Sequence, residues 1–213
     1  AYSVSKFSFG VIGTAFLDFC GNNMSSLVIG KSYSTIDLGY YNRGNMLPET
    51  IGLNVYNAIN SALLPTLASH QNNSDELKYM TRKIMSLSVY IIFPLMFGLI
   101  GISDILIPVI LTDRWISIIP LMNIFCLYYA INPIRAIGYN VFFAKGESRL
   151  CVLIEVLRFS LMLLCLIVVV FLIKGSVYFL LLTNFIVSII VVLVTQFLLQ
   201  KFIGYTLQEL VVD

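Results

Sequence analysis

The stretch LCVLIEVLRFSLMLLCLIVVVFLI, residues 150–173, carries only two charges, Glu155 and Arg158, in twenty-four residues. About 20 mostly apolar residues cross a hydrocarbon core as a helix, so this segment is long enough to span a bilayer. Three residues later a second such run covers residues 177–199. Working outward, residues 84–111 and 116–144 are also long enough, each interrupted by proline, and residues 7–29 qualify with one acid, Asp18. The most polar candidate is 38–68, with Arg43, Glu49, Asn54, Asn57 and Asn60, a length that suits a tilted or kinked helix pair. Composition agrees: 59% of residues are hydrophobic, 11% are charged, and mean hydropathy is +0.92. A soluble domain is about 25% charged. The expectation is an all-α integral membrane protein, a bundle of six transmembrane helices over residues 1–205, followed by a short tail at 206–213.

The net charge of +2 includes no dense Lys/Arg run, so no nucleic-acid partner is expected. Cys20, Cys126, Cys151 and Cys165 all lie in apolar stretches without CxxC spacing, which reads as buried thiols rather than a metal or disulfide framework. The single histidine, His70, stands in a polar loop and offers no ligand set. The chain opens on Ala1 with no cleavable signal ahead of the first apolar segment, and it reads as one lobe of a longer protein.

Loop charges give an orientation. Lys6, Lys78, Arg82, Lys83, Lys145, Arg149 and Lys201 fall on one side of the six spans, and Lys31, Arg114 and Lys174 on the other. Seven against three predicts that both ends lie in the cytoplasm, with DELKYMTRKIM (75–85) as a short helix on that face. Trp115 and Tyr178 begin spans at the opposite interface, where aromatic anchors belong. All six prolines, Pro48, Pro65, Pro94, Pro108, Pro120 and Pro133, lie within or at the ends of spans. They are read either as ordinary kinks or as hinges that bend during transport.

A polar side chain facing lipid is costly, so helical phase shows which face is protected. Thr14, Asp18, Asn22 and Ser25 form one stripe in the first span; Asn42, Asn45, Glu49, Gly52, Tyr56 and Asn60 form another in the second. Tyr128, Asn132, Arg135 and Tyr139 share a face in the fourth, and Glu155 and Arg158 stand one turn apart in the fifth. The light stripe of the sixth span, Asn184, Ser188 and Thr195, reads as interhelical glue. Asp18, Glu49 and Arg135 lie deep within spans, and an intramembrane charge points to function. Arg43 and Arg158 stand nearer span ends, where they are able to snorkel to headgroups, and Glu155 with Arg158 reads equally as mutual neutralisation or as a substrate site. The resulting expectation is a hydrated groove among spans one, two, four and five. Arg135, Arg43 and Arg158, with Asn22 and Asn132, are its candidate substrate-binding residues, since guanidinium forks match phosphate. Asp18 and Glu49 are candidate ion-coupling carboxylates, suited to H⁺ or Na⁺ exchange; no other cofactor is expected.

Several segments, in order, resemble one family. KFSFG (6–10), IGKSYSTIDLGYYNRGNMLPE (29–49), NAINSALLPTLAS (57–69), VYIIFPLMFGLIGISDILIPVILTDRW (89–115), IPLMNIFCLYYAINPI (119–134) and AKGESRL (144–150) look like the C-terminal lobe of polysaccharide-biosynthesis flippases. These are the O-antigen and capsule branch of the multidrug/oligosaccharidyl-lipid/polysaccharide exporter superfamily. The similarity covers roughly residues 5–205, and GYYNR (39–43) is its most specific piece. The resemblance implies two six-helix lobes around a cavity that opens alternately to either face of the bacterial cytoplasmic membrane, this chain supplying spans seven to twelve. It also implies a cationic cavity for an undecaprenyl-pyrophosphate-linked oligosaccharide, in which the first two helices of each lobe take part. The implied partners are the N-terminal six-helix lobe, membrane lipids and polysaccharide polymerase machinery. Asp18 and Glu49 nearly balance the intramembrane arginines, a departure from a purely cationic site. A multidrug or other lipid-precursor exporter of the same superfamily remains an alternative cargo reading. A membrane enzyme of polysaccharide assembly is less favoured, for it needs an acid–base set or a large outer loop.

Overall fold

A computed structural model describes the backbone over residues 2–69, 74–173 and 175–212, and side chains over 8–59, 75–171 and 175–210. Lys6, Asn60, Pro65, His70 and Lys174 therefore lie outside the described side chains. Among the described residues there are seven α-helices and no strand: α1 (Tyr2–Ser32), α2 (Thr35–Ser69), α3 (Ser74–Leu111), α4 (Ile119–Ala144), α5 (Ser148–Ile167), α6 (Val177–Ile203) and α7 (Leu207–Val212). A 3₁₀ turn over Asp113–Ile118 leads into α4, and α5 runs on as a π-helical segment, Val168–Ile173.

The chain is a multi-pass membrane protein. Four helical stretches, Asp75–Leu111, Asp113–Ala144, Ser148–Phe171 and Val177–Ile203, are long and apolar enough to cross a bilayer. Over their described side chains, residues 8–32 and 35–59, α1 and α2 do not reach that apolarity. Their polar content has a place to go. On α1, Phe9, Ile12, Phe16 and Phe19 form an exposed apolar face, while Thr14, Gly21 and Ser25 on the other side are buried.

Local signals set the boundaries. Ser34 and Asp37 make a reciprocal capping box at the start of α2: the Asp37 amide donates to Ser34 Oγ (3.1 Å) and the Ser34 amide to Asp37 Oδ2 (3.2 Å). Gly204, at φ 67°, ends α6 in the left-handed region that glycine tolerates best. Residues 75–85 are not a separate helix. They are the first turns of α3, because no glycine or proline interrupts the chain between Ser74 and Pro94. Likewise 35–69 is one helix rather than a pair, about 50 Å long at 1.5 Å per residue.

The helices alternate in direction. At one end Tyr33 Oη donates to the Gly175 carbonyl (2.6 Å) and Tyr178 Oη to the Ser117 carbonyl (3.1 Å), tying the α1–α2, α3–α4 and α5–α6 connections together. At the other end, Phe142 packs on Phe202 and Lys78 pairs with Glu209. The central element is α4, which packs on α2, α3 and α6, while α1 leans on α5 and meets α2 far less. At Gly138 α4 and α6 approach closely: an added Cβ would stand 2.5 Å from Thr195 Cγ2 on α6. Gly138→Val is therefore expected to destabilise the bundle by about 1–3 kcal/mol, read as a lower melting temperature in detergent; an unchanged melting point would mean that α4 and α6 are not so closely seated.

The last helix, α7, is docked against α3. Thr206 and Glu209 repeat the capping box, the Thr206 amide donating to Glu209 Oε2 at 2.8 Å, and Lys78 Nζ lies 2.8 Å from Glu209 Oε1. The Lys78 ammonium, helped by the Thr206 amide, pulls the Glu209 carboxyl from its ordinary value near 4.5 down to about 2. A depressed carboxyl stabilises the docked form above its free value and loses that contribution as pH falls. Protection of residues 203–210 from hydrogen exchange should thus be level above pH 5 and decline between about pH 4.5 and pH 2. Glu209→Gln should abolish that decline, and a decline that persists in it would assign the effect elsewhere.

Candidate functional site

A cavity of about 620 Å³ lies among α1, α2, α4, α5 and α6. Its wall is formed by the polar stripes that helical phase predicts. Thr14, Asp18, Asn22 and Ser25 line it from α1; Asn42, Asn45, Glu49, Gly52 and Tyr56 from α2; Tyr128, Asn132, Arg135 and Tyr139 from α4; and Arg158 from α5. The sixth helix also contributes, through Asn184 and Ser188.

Four charges meet on one side of this cavity. Arg135 Nη1 lies 3.1 Å from Glu155 Oε2, and Arg135 Nη2 lies 3.4 Å from Asp18 Oδ1. Arg158 Nη2 is 3.1 Å from the same Asp18 oxygen, and Arg158 Nε bonds to Glu155 Oε1. The quartet thus joins three helices and is formally neutral. Further hydrogen bonds fix its geometry. Tyr139 Oη donates to Glu155 Oε2 (2.8 Å), Asn132 Oδ1 accepts from Arg135 Nη2 (3.1 Å), and Asn22 Nδ2 donates to Asp18 Oδ2 (3.2 Å). The Arg135 guanidinium also lies over the Tyr139 ring, 5.2 Å from its centre. Gly21 makes room for α1 beside Arg158, since a Cβ there would fall 2.6 Å from Nη2.

The two carboxylates differ sharply. The Glu155 side chain is fully buried and saturated by both arginines and Tyr139, whereas Asp18 keeps 37% of its side-chain surface exposed. Across the cavity Glu49 accepts from Asn45 Nδ2 (2.9 Å) and is not part of the quartet. Two buried amide oxygens in the wall, Asn45 Oδ1 and Asn184 Oδ1, have no hydrogen-bond partner among the described residues.

Three expectations need correction. Arg43 does not face this cavity. It stands with Gly39, Met46, Thr50 and Trp115 in a second, more open recess that shares Asn42, Asn45, Glu49 and Leu53 with the first, its guanidinium 5.7 Å from the Trp115 ring centre and Nη1 3.4 Å from Met46 Sδ. Position 43 falls about 100° around the helix from Asn42, off the stripe that Asn42, Asn45 and Glu49 define. Arg158 does not snorkel; it is buried, drawn inward by Glu155 and Asp18. The sixth-span stripe is glue only in part, for Thr195, like several Ser and Thr residues elsewhere, is satisfied within its own helix. Thr14, Thr81, Ser88 and Thr195 bond back to carbonyls four residues earlier, which satisfies them within one helix. Ser25 is an exception, accepting from Asn184 Nδ2 across helices at 2.9 Å.

The four cysteines are free thiols, Cys126 and Cys151 buried and Cys20 and Cys165 half-buried. Among the described residues no three His, Cys, Asp or Glu side chains are grouped to hold a metal ion.

Residues 1–120 match the model of a family described as polysaccharide biosynthesis protein. The chain is 21% identical over 146 residues to the teichuronic acid biosynthesis protein TuaB of Bacillus subtilis (strain 168), covering 68% of this chain and 30% of that protein. It is 23% identical over 133 residues to the lipopolysaccharide biosynthesis protein WzxC of Escherichia coli (strain K12), covering 62% and 26%. A third relative, the succinoglycan biosynthesis transport protein ExoT of Rhizobium meliloti (strain 1021), is 22% identical over 125 residues, covering 59% and 25%. The matched region is thus under a third of the length of each of these relatives. No solved structure matches the chain significantly.

Proposed function

Because the chain belongs to the polysaccharide biosynthesis protein family, we propose that it forms one lobe of an exporter that carries lipid-linked oligosaccharide across the bacterial cytoplasmic membrane. The observation that carries this reading is the composition of the cavity wall. Seven asparagines (22, 23, 42, 45, 132, 140, 184) and five tyrosines (41, 56, 128, 129, 139) surround the arginine pair. Amides and phenols suit a neutral, hydroxyl-rich cargo, and the two unpartnered amide oxygens are acceptors that sugar hydroxyls would satisfy. The arginines suit the phosphate that joins sugar to lipid, here an undecaprenyl pyrophosphate.

α1 packs on α2 far less than on α5, and in this reading the α1–α2 side is the one that a second, N-terminal lobe would face. Lys78, Arg82, Lys83, Lys145, Arg149 and Lys201 gather at the α7 end of the bundle, which by the positive-inside rule is the cytoplasmic end. Of the candidate coupling carboxylates, Asp18 is held by two arginines and Glu49 only by Asn45, so this reading assigns H⁺ or Na⁺ coupling to Glu49.

The reading is tested by reconstituting the complete protein in liposomes with a fluorescent polyprenyl-pyrophosphate oligosaccharide. Protein-dependent passage of the oligosaccharide to the far leaflet is expected. Passage of hydrophobic drugs but not of the glycolipid would transfer the assignment to the multidrug alternative.

A further inference from the structure

We infer that Asp18 holds the place that a phosphate of the cargo takes, so that binding of the anion displaces Asp18 and breaks the ionic tie of α1 to α4 and α5. The inference rests on the phosphate reading of the cavity and adds which side chain must yield to it. Charge balance poses the problem. Arg135 and Arg158 are already neutralised by Asp18 and Glu155, and an anion added to that quartet would meet no net positive charge. One carboxylate has to leave before the guanidinium forks can turn to a phosphate.

Geometry selects Asp18. Glu155 is wholly buried and bound at both oxygens, so moving it would strand two arginines and a tyrosine hydroxyl. Asp18 offers a single oxygen, Oδ1, to Nη2 of both arginines, at 3.4 and 3.1 Å, and it borders the open cavity with more than a third of its side chain exposed. A carboxylate so placed moves into water at little cost, and Asn22 moves with it on the same helix. The two Nη2 groups that share Asp18 Oδ1 then become a pair of donors on neighbouring helices, a spacing suited to two oxygens of one phosphate. Asp18 is also the only member of the quartet on α1. Its release removes the ionic tie between α1 and the α4–α5 pair, which links occupancy of the site to movement of the helix.

The test uses the complete protein in nanodiscs, inorganic pyrophosphate as probe, and calorimetry. Asp18→Asn keeps the shape and the hydrogen-bond acceptor but removes the competing charge, and it should bind pyrophosphate about tenfold more tightly than the wild type. A merely structural ion pair would give the opposite sign. Equal or weaker binding by Asp18→Asn overturns the displacement while leaving the phosphate reading standing. Binding by neither protein overturns the phosphate reading itself. Should Asp18→Asn fail to fold, hydrogen exchange in the wild type decides: pyrophosphate should accelerate exchange across residues 14–25, and unchanged or slower exchange overturns the inference.

Discussion

Replacing Glu155 with alanine is expected to destabilise the folded bundle by about 3–5 kcal/mol, the cost of leaving buried charges without their partner. Glu155 is fully buried on α5 and receives Arg135 from α4, Arg158 from its own helix and the Tyr139 hydroxyl. Without it, two guanidinium groups would share a single oxygen of Asp18, Oδ1, and the quartet would carry a net positive charge inside the membrane. Glu155→Gln should be milder, since the amide oxygen still accepts, although its NH₂ would face an arginine. Unfolding of the protein in mixed micelles measures the difference. A Glu155→Ala variant within about 1 kcal/mol of the wild type would mean that water reaches the arginines from another side.

Arg135→Ala has a different expected outcome: the bundle persists and transport falls by about thirtyfold or more, the lower end for truncating a buried charge pair. Glu155 keeps Arg158 and Tyr139 in this variant, so folding is less affected. What is lost is the fork that reaches Glu155 with Nη1 while Nη2 meets Asp18 and Asn132. Arg135→Lys should not restore transport, because a point-like ammonium cannot span these partners. Initial rates of glycolipid translocation, normalised to folded protein, provide the check; full activity in Arg135→Ala would remove Arg135 from the cargo path.

The polar stripes were legible because lipid imposes a phase: Thr14–Asp18–Asn22–Ser25 and Tyr128–Asn132–Arg135–Tyr139 keep to one face of a helix, and those faces meet at the cavity. Glu155 was visible only as a neighbour of Arg158. Its link to Arg135 depends on how α4 and α5 are set against each other, and no sequence period encodes that. The light stripe of the sixth span marks Asn184 as glue. It does tie α6 to Ser25, yet it also offers an oxygen to the cavity. Gly21 shares the phase of Thr14, Asp18 and Ser25, but only the approach of Arg158 shows why a side chain there would intrude. Arg43 illustrates the converse, for its phase already set it apart from the stripe beside it. The limits of α3 were missed because an amphipathic interfacial start and an apolar span read as two elements when no residue breaks the helix between them.

The account turns on cargo occupying the cavity among α1, α2, α4, α5 and α6. Photo-crosslinking measures this most directly, with benzoylphenylalanine placed at Asn132 in the cavity wall or at Tyr90, which is 80% exposed on the outer face of α3. With a radiolabelled polyprenyl-pyrophosphate oligosaccharide, a labelled adduct is expected at position 132 and not at position 90. Equal labelling at both positions, or none at 132 in protein that transports, would contradict it.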